Sequence, residues 1–252
     1  APDAFFKMEN GKPFLGSSLT TMKAQTGNSL DVLRTILAEN TMDIPDDLPP
    51  MAAGWIGNLG YDFIREIERL GPTRVDPVGL STSLLIRPTI MAVFDMVKNT
   101  ITLVTPVRPA TKAKPMAKSD IIMTISDARH RLDDAMDRLY RPLPRPEGKE
   151  IVANDHPVKS NTQPSAYLEM VSKAKDYIYA GDIFQVVLSQ RFSQPFDLSP
   201  FALYRALRRT NPSPFLYFLK YDDVAIVGSS PEILVRLRKN TITIRPIAGT
   251  RP

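Results

Sequence analysis

Five prolines, Pro142, Pro144, Pro146, Pro157 and Pro164, crowd one stretch of the chain that carries little apolar content. Each fixes φ and removes a backbone donor, so neither a helix interior nor a central strand can run through this stretch. A chain of 252 residues can form one large domain or two small ones. The prolines favour two: an N-terminal module over residues 1–141, a linker over 142–164, and a second module from 165 to 252.

In the first module, "SLDVLRTILAEN" predicts an amphipathic helix. Leu30, Leu33, Ile36 and Leu37 form its apolar stripe, Ser29 is the expected cap, and Asp31 suits the positive helix end. In "MAAGWIGNLGYDFIREIE", Gly54, Gly57 and Gly60 point to close backbone packing at a strand end, and a helix is expected from about Asp62. "TIMAVFDMVKNTITLVTP" reads as a hairpin around Lys98-Asn99, and "SDIIMTISDARHRLDDAMDRLY" returns to helical spacing.

The second module opens on "SAYLEMVSKAKDYIYAGD", a helix with a stripe through Tyr167, Met170, Val171, Ala174 and Ile178 that should end in a left-handed Gly181. "IFQVVLSQRF" alternates as a strand. Phe184, Val186, Leu188 and Phe192 are expected on the core side, with Gln185 on the wall of a cleft. "SPFALYRALRRT" predicts a helix capped by Ser199, with Arg208 and Arg209 at its negative end. A meander of short strands follows in "FLYFLKY", "VAIVG", "ILVRLR" and "TITIRPI". The class is α+β, with antiparallel sheets and helices in a sandwich-like arrangement.

Composition removes several functions. Without cysteine there are no disulfides and no thiolate metal sites, which suits a cytoplasmic protein. No apolar run approaches the ~18 residues of a membrane span, and no signal peptide opens the chain. The net charge of +5 sits largely in "RPATKAKPMAK" and "RPLPRPEGK", proline-rich connectors without aromatic residues. That pattern argues against nucleic acid and suits a small anionic substrate. Ala1 in place of methionine suggests that the natural start lies earlier.

The local chemistry is sparse. His130 sits in a polar helix pattern and His156 in the linker, and neither a P-loop nor a dinucleotide fingerprint is present. What remains is Gln185 on its strand, Glu232 in "GSSPEIL", and the turn Gly249-Thr250 in "RPIAGTRP", whose backbone N–H groups suit an anionic or carbonyl-bearing ligand. A lone carboxylate specifies no reaction.

Taken in order and spacing, "GDIFQVVLSQRF", "NPSPFLYFL", "GSSPEILVR" and "RPIAGTRP" resemble anthranilate synthase component I, one of the chorismate-utilising enzymes. "GWIGNLGYDFIRE" and the Val93–Asp95 "VFD" resemble its N-terminal half, so the likeness covers nearly the whole chain. It implies conversion of chorismate and ammonia to anthranilate and pyruvate in tryptophan biosynthesis, with ammonia supplied from glutamine by an amidotransferase subunit or fused domain. By the same resemblance, Glu232 is the general acid that protonates the departing C4 hydroxyl, in an enclosed site that would raise its pKa. Ala248, Gly249 and Thr250 would line the substrate pocket.

Gln185 stands where isochorismate and salicylate synthases carry a basic lysine, which favours ammonia over water. Ala248 stands where aminodeoxychorismate synthases carry a nucleophilic lysine, which favours anthranilate. Asn211, Pro214, Phe215 and Leu216 match the segment that contacts feedback tryptophan, with Phe215-Leu216 forming an apolar wall where the family often has Tyr-Met. The family also implies Mg²⁺, whose carboxylate ligands are expected downstream of Pro252, and a tryptophan-binding segment upstream of Ala1. The chain then reads as an interior fragment, inactive by itself. Aminodeoxychorismate synthase is the rival within the family, and a non-catalytic fragment binding a partner subunit is the rival outside it.

Overall fold

The computed structural model of the chain describes residues 2–49, 51–73, 75–108, 117–143 and 156–247. Ala248, Gly249 and Thr250, with most of the proline-rich stretch, lie outside the described residues. The chain divides into two compact units, Ala1–Arg145 and Pro146–Pro252.

The first unit is built on β1 (Ala4–Glu9), β2 (Lys12–Gly16), β3 (Lys23–Ala24), α1 (Ser29–Glu39), β4 (Ile56–Leu59) and β5 (Ser83–Arg87). The strands make one antiparallel sheet in the order β3-β2-β1-β5-β4. Asn10 and Gly11, at φ 51° and 69°, supply the two left-handed residues of a tight hairpin between β1 and β2. Alternation along β1 sends Phe6 and Met8 into a core with Leu33 and Ile36 of α1 and with Phe63. On the other face Lys7 Nζ pairs with Glu9 Oε2 at 2.9 Å.

Two expectations need correction here. The cap of α1 is Asn28, whose Oδ1 accepts from the Leu30 N–H at 2.8 Å. Ser29 is already helical and fully buried, and its N–H donates instead to Glu66 Oε2 at 3.2 Å. The helix expected from Asp62 is a 3₁₀ helix, Tyr61–Glu66. It is a short connector anchored by Phe63 in the core, a setting that suits i to i+3 bonding. The close backbone approach holds at two glycines. A Cβ on Gly57 would sit 2.0 Å from the Leu84 carbonyl oxygen, and one on Gly60 would sit 2.7 Å from that of Thr82. Gly54 has open space around it and serves a φ of +132°.

Next, β6 (Met91–Asp95) and β7 (Thr100–Val104) form the expected hairpin, with Asn99 left-handed at φ 53°. Asp95 Oδ1 accepts from the N–H groups of Val97 and Lys98, both at 3.0 Å. The Lys98 N–H is the main reason the carboxyl is held below its ordinary pKa of 3.8; partial desolvation opposes it, and the Val97 N–H and Lys98 charge add to it. A depressed carboxyl stabilises the fold above its ordinary pKa and loses that contribution as pH falls through the folded value. The amide signals of Val97 and Lys98 should therefore titrate with a midpoint below 3.8. A midpoint at or above the ordinary value would show that the turn does not hold this carboxylate. Helix α2 (Lys118–Tyr140) follows and buries Ala128.

The second unit contains β8 (Lys159–Ser160), α3 (Pro164–Tyr179), β9 (Phe192–Ser193), α4 (Pro200–Thr210), β10 (Phe215–Lys220), β11 (Ala225–Ser230), β12 (Arg236–Arg238) and β13 (Thr241–Thr243). Gly181 follows α3 at φ +79°, as a left-handed C-terminal glycine. Ser199 Oγ caps α4 by accepting from the Ala202 N–H at 3.2 Å. Phe201 and Tyr204 of α4 meet Phe218 of β10 at centroid distances of 5.3 and 5.8 Å.

The strand expected over 183–192 is not formed. A strand needs a neighbour for its N–H and C=O groups, and among the described residues only Phe192–Ser193 has one, in Lys159–Ser160. Its facing also differs: Ile183 joins Val186 and Leu188 against Met170, Ala174 and Tyr177 of α3, while Phe184 is 93% exposed. The meander resolves into two separate ladders, β10–β11 and β12–β13. Among the described residues every buried hydrophobic side chain belongs to the first unit.

Candidate active site

Strand β11 ends where Pro231 removes the next ladder donor, and Ser230 takes over the local hydrogen bonding. Its Oγ donates to the Glu232 carbonyl at 2.9 Å and accepts from the Glu232 N–H at 3.3 Å. This tight turn presents the Glu232 side chain across to the chain beyond β13. There Oε1 accepts the Ile247 N–H at 3.3 Å. Glu232 is thus held against the residue that immediately precedes Ala248-Gly249-Thr250.

The same turn is tied to "NPSPFL". Ser229 Oγ donates to the Asn211 carbonyl at 2.8 Å, and Ser213 Oγ donates to the Ser230 carbonyl. Phe215 and Leu216 pair across the ladder with Ser230 and Ser229. The expected tryptophan-contacting segment and the turn that carries the expected general acid are therefore joined by serines at one end of the β10–β11 ladder. These serines were missed as functional residues, and their signal was the small polar pair preceding Pro231-Glu232.

Two expectations about the site change. Phe215 and Leu216 are successive residues of a strand, so their side chains leave opposite faces and do not make one wall. Glu232 is exposed, so the described residues fix its position and do not enclose it. Gln185 is exposed in the extended segment after α3, and among the described residues no hydrogen bond joins it to the Glu232 turn. Pro214 is exposed just before β10. No cluster of three or more His, Asp or Glu able to hold a metal ion occurs among the described residues. The Mg²⁺ implied by resemblance does not fit them.

A sequence model of chorismate binding enzymes matches residues 3–252. The chain belongs to the chorismate-binding enzyme family. Among relatives, anthranilate synthase component 1 of Cereibacter sphaeroides is 47% identical over 225 residues, covering 89% of this chain and 44% of the relative. The Thermus thermophilus protein of the same name is 43% identical over 206 residues, covering 82% of this chain and 41% of the relative. In structure, the chain is similar to anthranilate synthase component I from Streptococcus pneumoniae, with a TM-score of 0.77 and 29% identity. That match covers 96% of this chain and 51% of the other. The chain thus spans about half the length of the relatives it matches. The mixed fold of helices and antiparallel sheets is that of this structural neighbour. No helix among the chain's described residues is long and apolar enough to cross a membrane.

Proposed function

We propose that the chain is part of the aminase of anthranilate synthase, which converts chorismate and ammonia into anthranilate and pyruvate. One observation carries the reading: the Glu232 carboxylate is fixed by the Ile247 N–H beside Ala248-Gly249-Thr250. A carboxyl held in a fixed position can serve as a proton source for a departing hydroxyl. Ammonia adds at C2 and gives up one proton, both double bonds of the ring diene shift, and the C4 hydroxyl leaves as water with the proton given by Glu232. Loss of pyruvate then restores an aromatic ring. Ala248 offers no nucleophile, so ammonia attacks the ring directly; a lysine there would compete for C2. Gln185 cannot serve as the base that would activate water in place of ammonia.

In this reading ammonia comes from glutamine through an amidotransferase partner, and tryptophan, the end product, inhibits through the segment Asn211–Leu216. The Mg²⁺ that the reaction uses would take its ligands from polypeptide outside the described residues. The enzyme is cytoplasmic in this scheme.

The test uses an enzyme completed to the length of its relatives, supplied with chorismate, ammonium and Mg²⁺. Fluorescent anthranilate is expected as the product. A 4-amino product separated by chromatography would instead assign the chain to aminodeoxychorismate synthase, and no turnover would leave it a non-catalytic fragment.

A further inference from the structure

The first unit brings two arginines from separate parts of the sequence onto one carboxylate and sets a third close enough for its charge to reach one of them. Arg87 closes β5, Arg108 lies between β7 and α2, and Arg131 is on α2. Arg87 Nε donates to Asp3 Oδ1 at 2.7 Å, and an Arg108 terminal nitrogen lies 3.5 Å from Asp3 Oδ2. Arg87 also donates to the Asn40 side-chain oxygen and lies over the Trp55 ring at 5.7 Å. Arg108 makes a long contact with the Pro88 carbonyl at 3.4 Å. Arg131 Nε donates to Thr105 Oγ1 at 3.1 Å, and among the described residues its four other N–H donors have no partner.

The charges do not balance. Two of these guanidiniums share Asp3 and the charge of Arg131 also reaches Arg108, so positive charge is in excess in a place where the Arg87 and Arg108 side chains are only 21% and 18% exposed. Arg108 bears the consequence: burial first, and then the neighbouring charge of Arg87, lowers its pKa from the ordinary arginine value, with Asp3 opposing and Arg131 adding. A staple that served folding alone would be expected to match its charges, because uncompensated buried charge is costly. Guanidinium forks match the oxygens of planar and tetrahedral oxyanions in pairs. Asp3, 39% exposed, leaves the cluster open to solvent on its own side.

We propose that Arg87, Arg108 and Arg131 form a binding site for a small divalent oxyanion, with the Asp3 carboxylate as its built-in competitor. The site belongs to the first unit and does not depend on the proposed reaction. Sulfate and inorganic phosphate are the probes, titrated calorimetrically into the 252-residue chain against chloride at equal ionic strength. Calorimetry is preferred to melting because sulfate stabilises proteins in general by exclusion from their surfaces. Saturable binding with Kd of about 1 mM is expected for both dianions and none for chloride.

Arg131→Gln removes a fork whose only partner among the described residues is Thr105, and should weaken binding about tenfold without unfolding the unit. Asp3→Asn should do the opposite and tighten binding about tenfold, since the competing carboxylate is gone. A purely structural cluster would lose stability in Asp3→Asn and gain no affinity. Absence of saturable binding, unchanged binding in Arg131→Gln, or weaker binding in Asp3→Asn would each overturn the site.

Discussion

Replacing Glu232 by glutamine in the complete enzyme is expected to lower kcat about 10²–10⁴-fold, the usual worth of a positioned general acid. The substitution is close to isosteric. Its amide oxygen can still accept the Ile247 N–H that Oε1 now accepts at 3.3 Å, so the side chain keeps its place and loses only its proton. The KM for chorismate should therefore change less than about threefold, as expected for an interaction made in the transition state alone. Steady-state kinetics of anthranilate formation, with chorismate varied at saturating ammonium, separates the two parameters. Retention of most of the wild-type kcat would remove Glu232 from the proton-donating role, whatever the product.

The largest stability effect is expected at Phe6. Its side chain is fully buried at the centre of the core shared by β1, α1 and Phe63. Phe6→Ala should cost about 3–5 kcal/mol through lost transfer energy and the cavity left behind. That is a large fraction of the ~5–15 kcal/mol available to a typical domain. Trp55 is the single tryptophan and packs against the same core, so its fluorescence reports the urea transition of the first unit. Phe184→Ala provides the contrast. Its ring is 93% exposed, and the midpoint should move by less than about 0.5 kcal/mol equivalent. Comparable losses in both variants would mean that the core is placed wrongly.

How much of this was readable beforehand depended on whether the signal was local. Helices α1, α2, α3 and α4 follow from the spacing of their apolar residues, because a helix satisfies its own backbone within a few residues. The β6–β7 hairpin follows from Asn99, which tolerates the left-handed turn. The segment 183–191 failed for the converse reason. Its alternation is that of a strand, but pairing depends on a neighbour that alternation cannot supply. Strands β1 and β2 were missed although Asn10-Gly11 carried a strong local hairpin signal between alternating apolar residues.

At the site, Glu232, Asn211 and Ala248–Thr250 were singled out as candidates through family resemblance, since their chemistry in isolation is bland. The serine hydrogen bonds that join Asn211 to the Glu232 turn were not. They arise from the register of β10 on β11, which only the folded ladder displays. The arginine cluster was invisible for the same reason: Asp3, Arg87, Arg108 and Arg131 share no motif and come together only in the folded unit.

The order β3-β2-β1-β5-β4 has a consequence for biogenesis. β1 can close its hairpin with β2 as soon as both leave the ribosome, but its other edge pairs Ala4 with Arg87. Until Arg87 has been synthesised, the N-terminal hairpin offers nascent-chain chaperones an open strand edge. At roughly 5–20 residues per second, that wait lasts several seconds, long compared with the microseconds of hairpin closure. The rate of translation through residues 17–87, more than any local propensity, then sets how long this protein is vulnerable to mispairing.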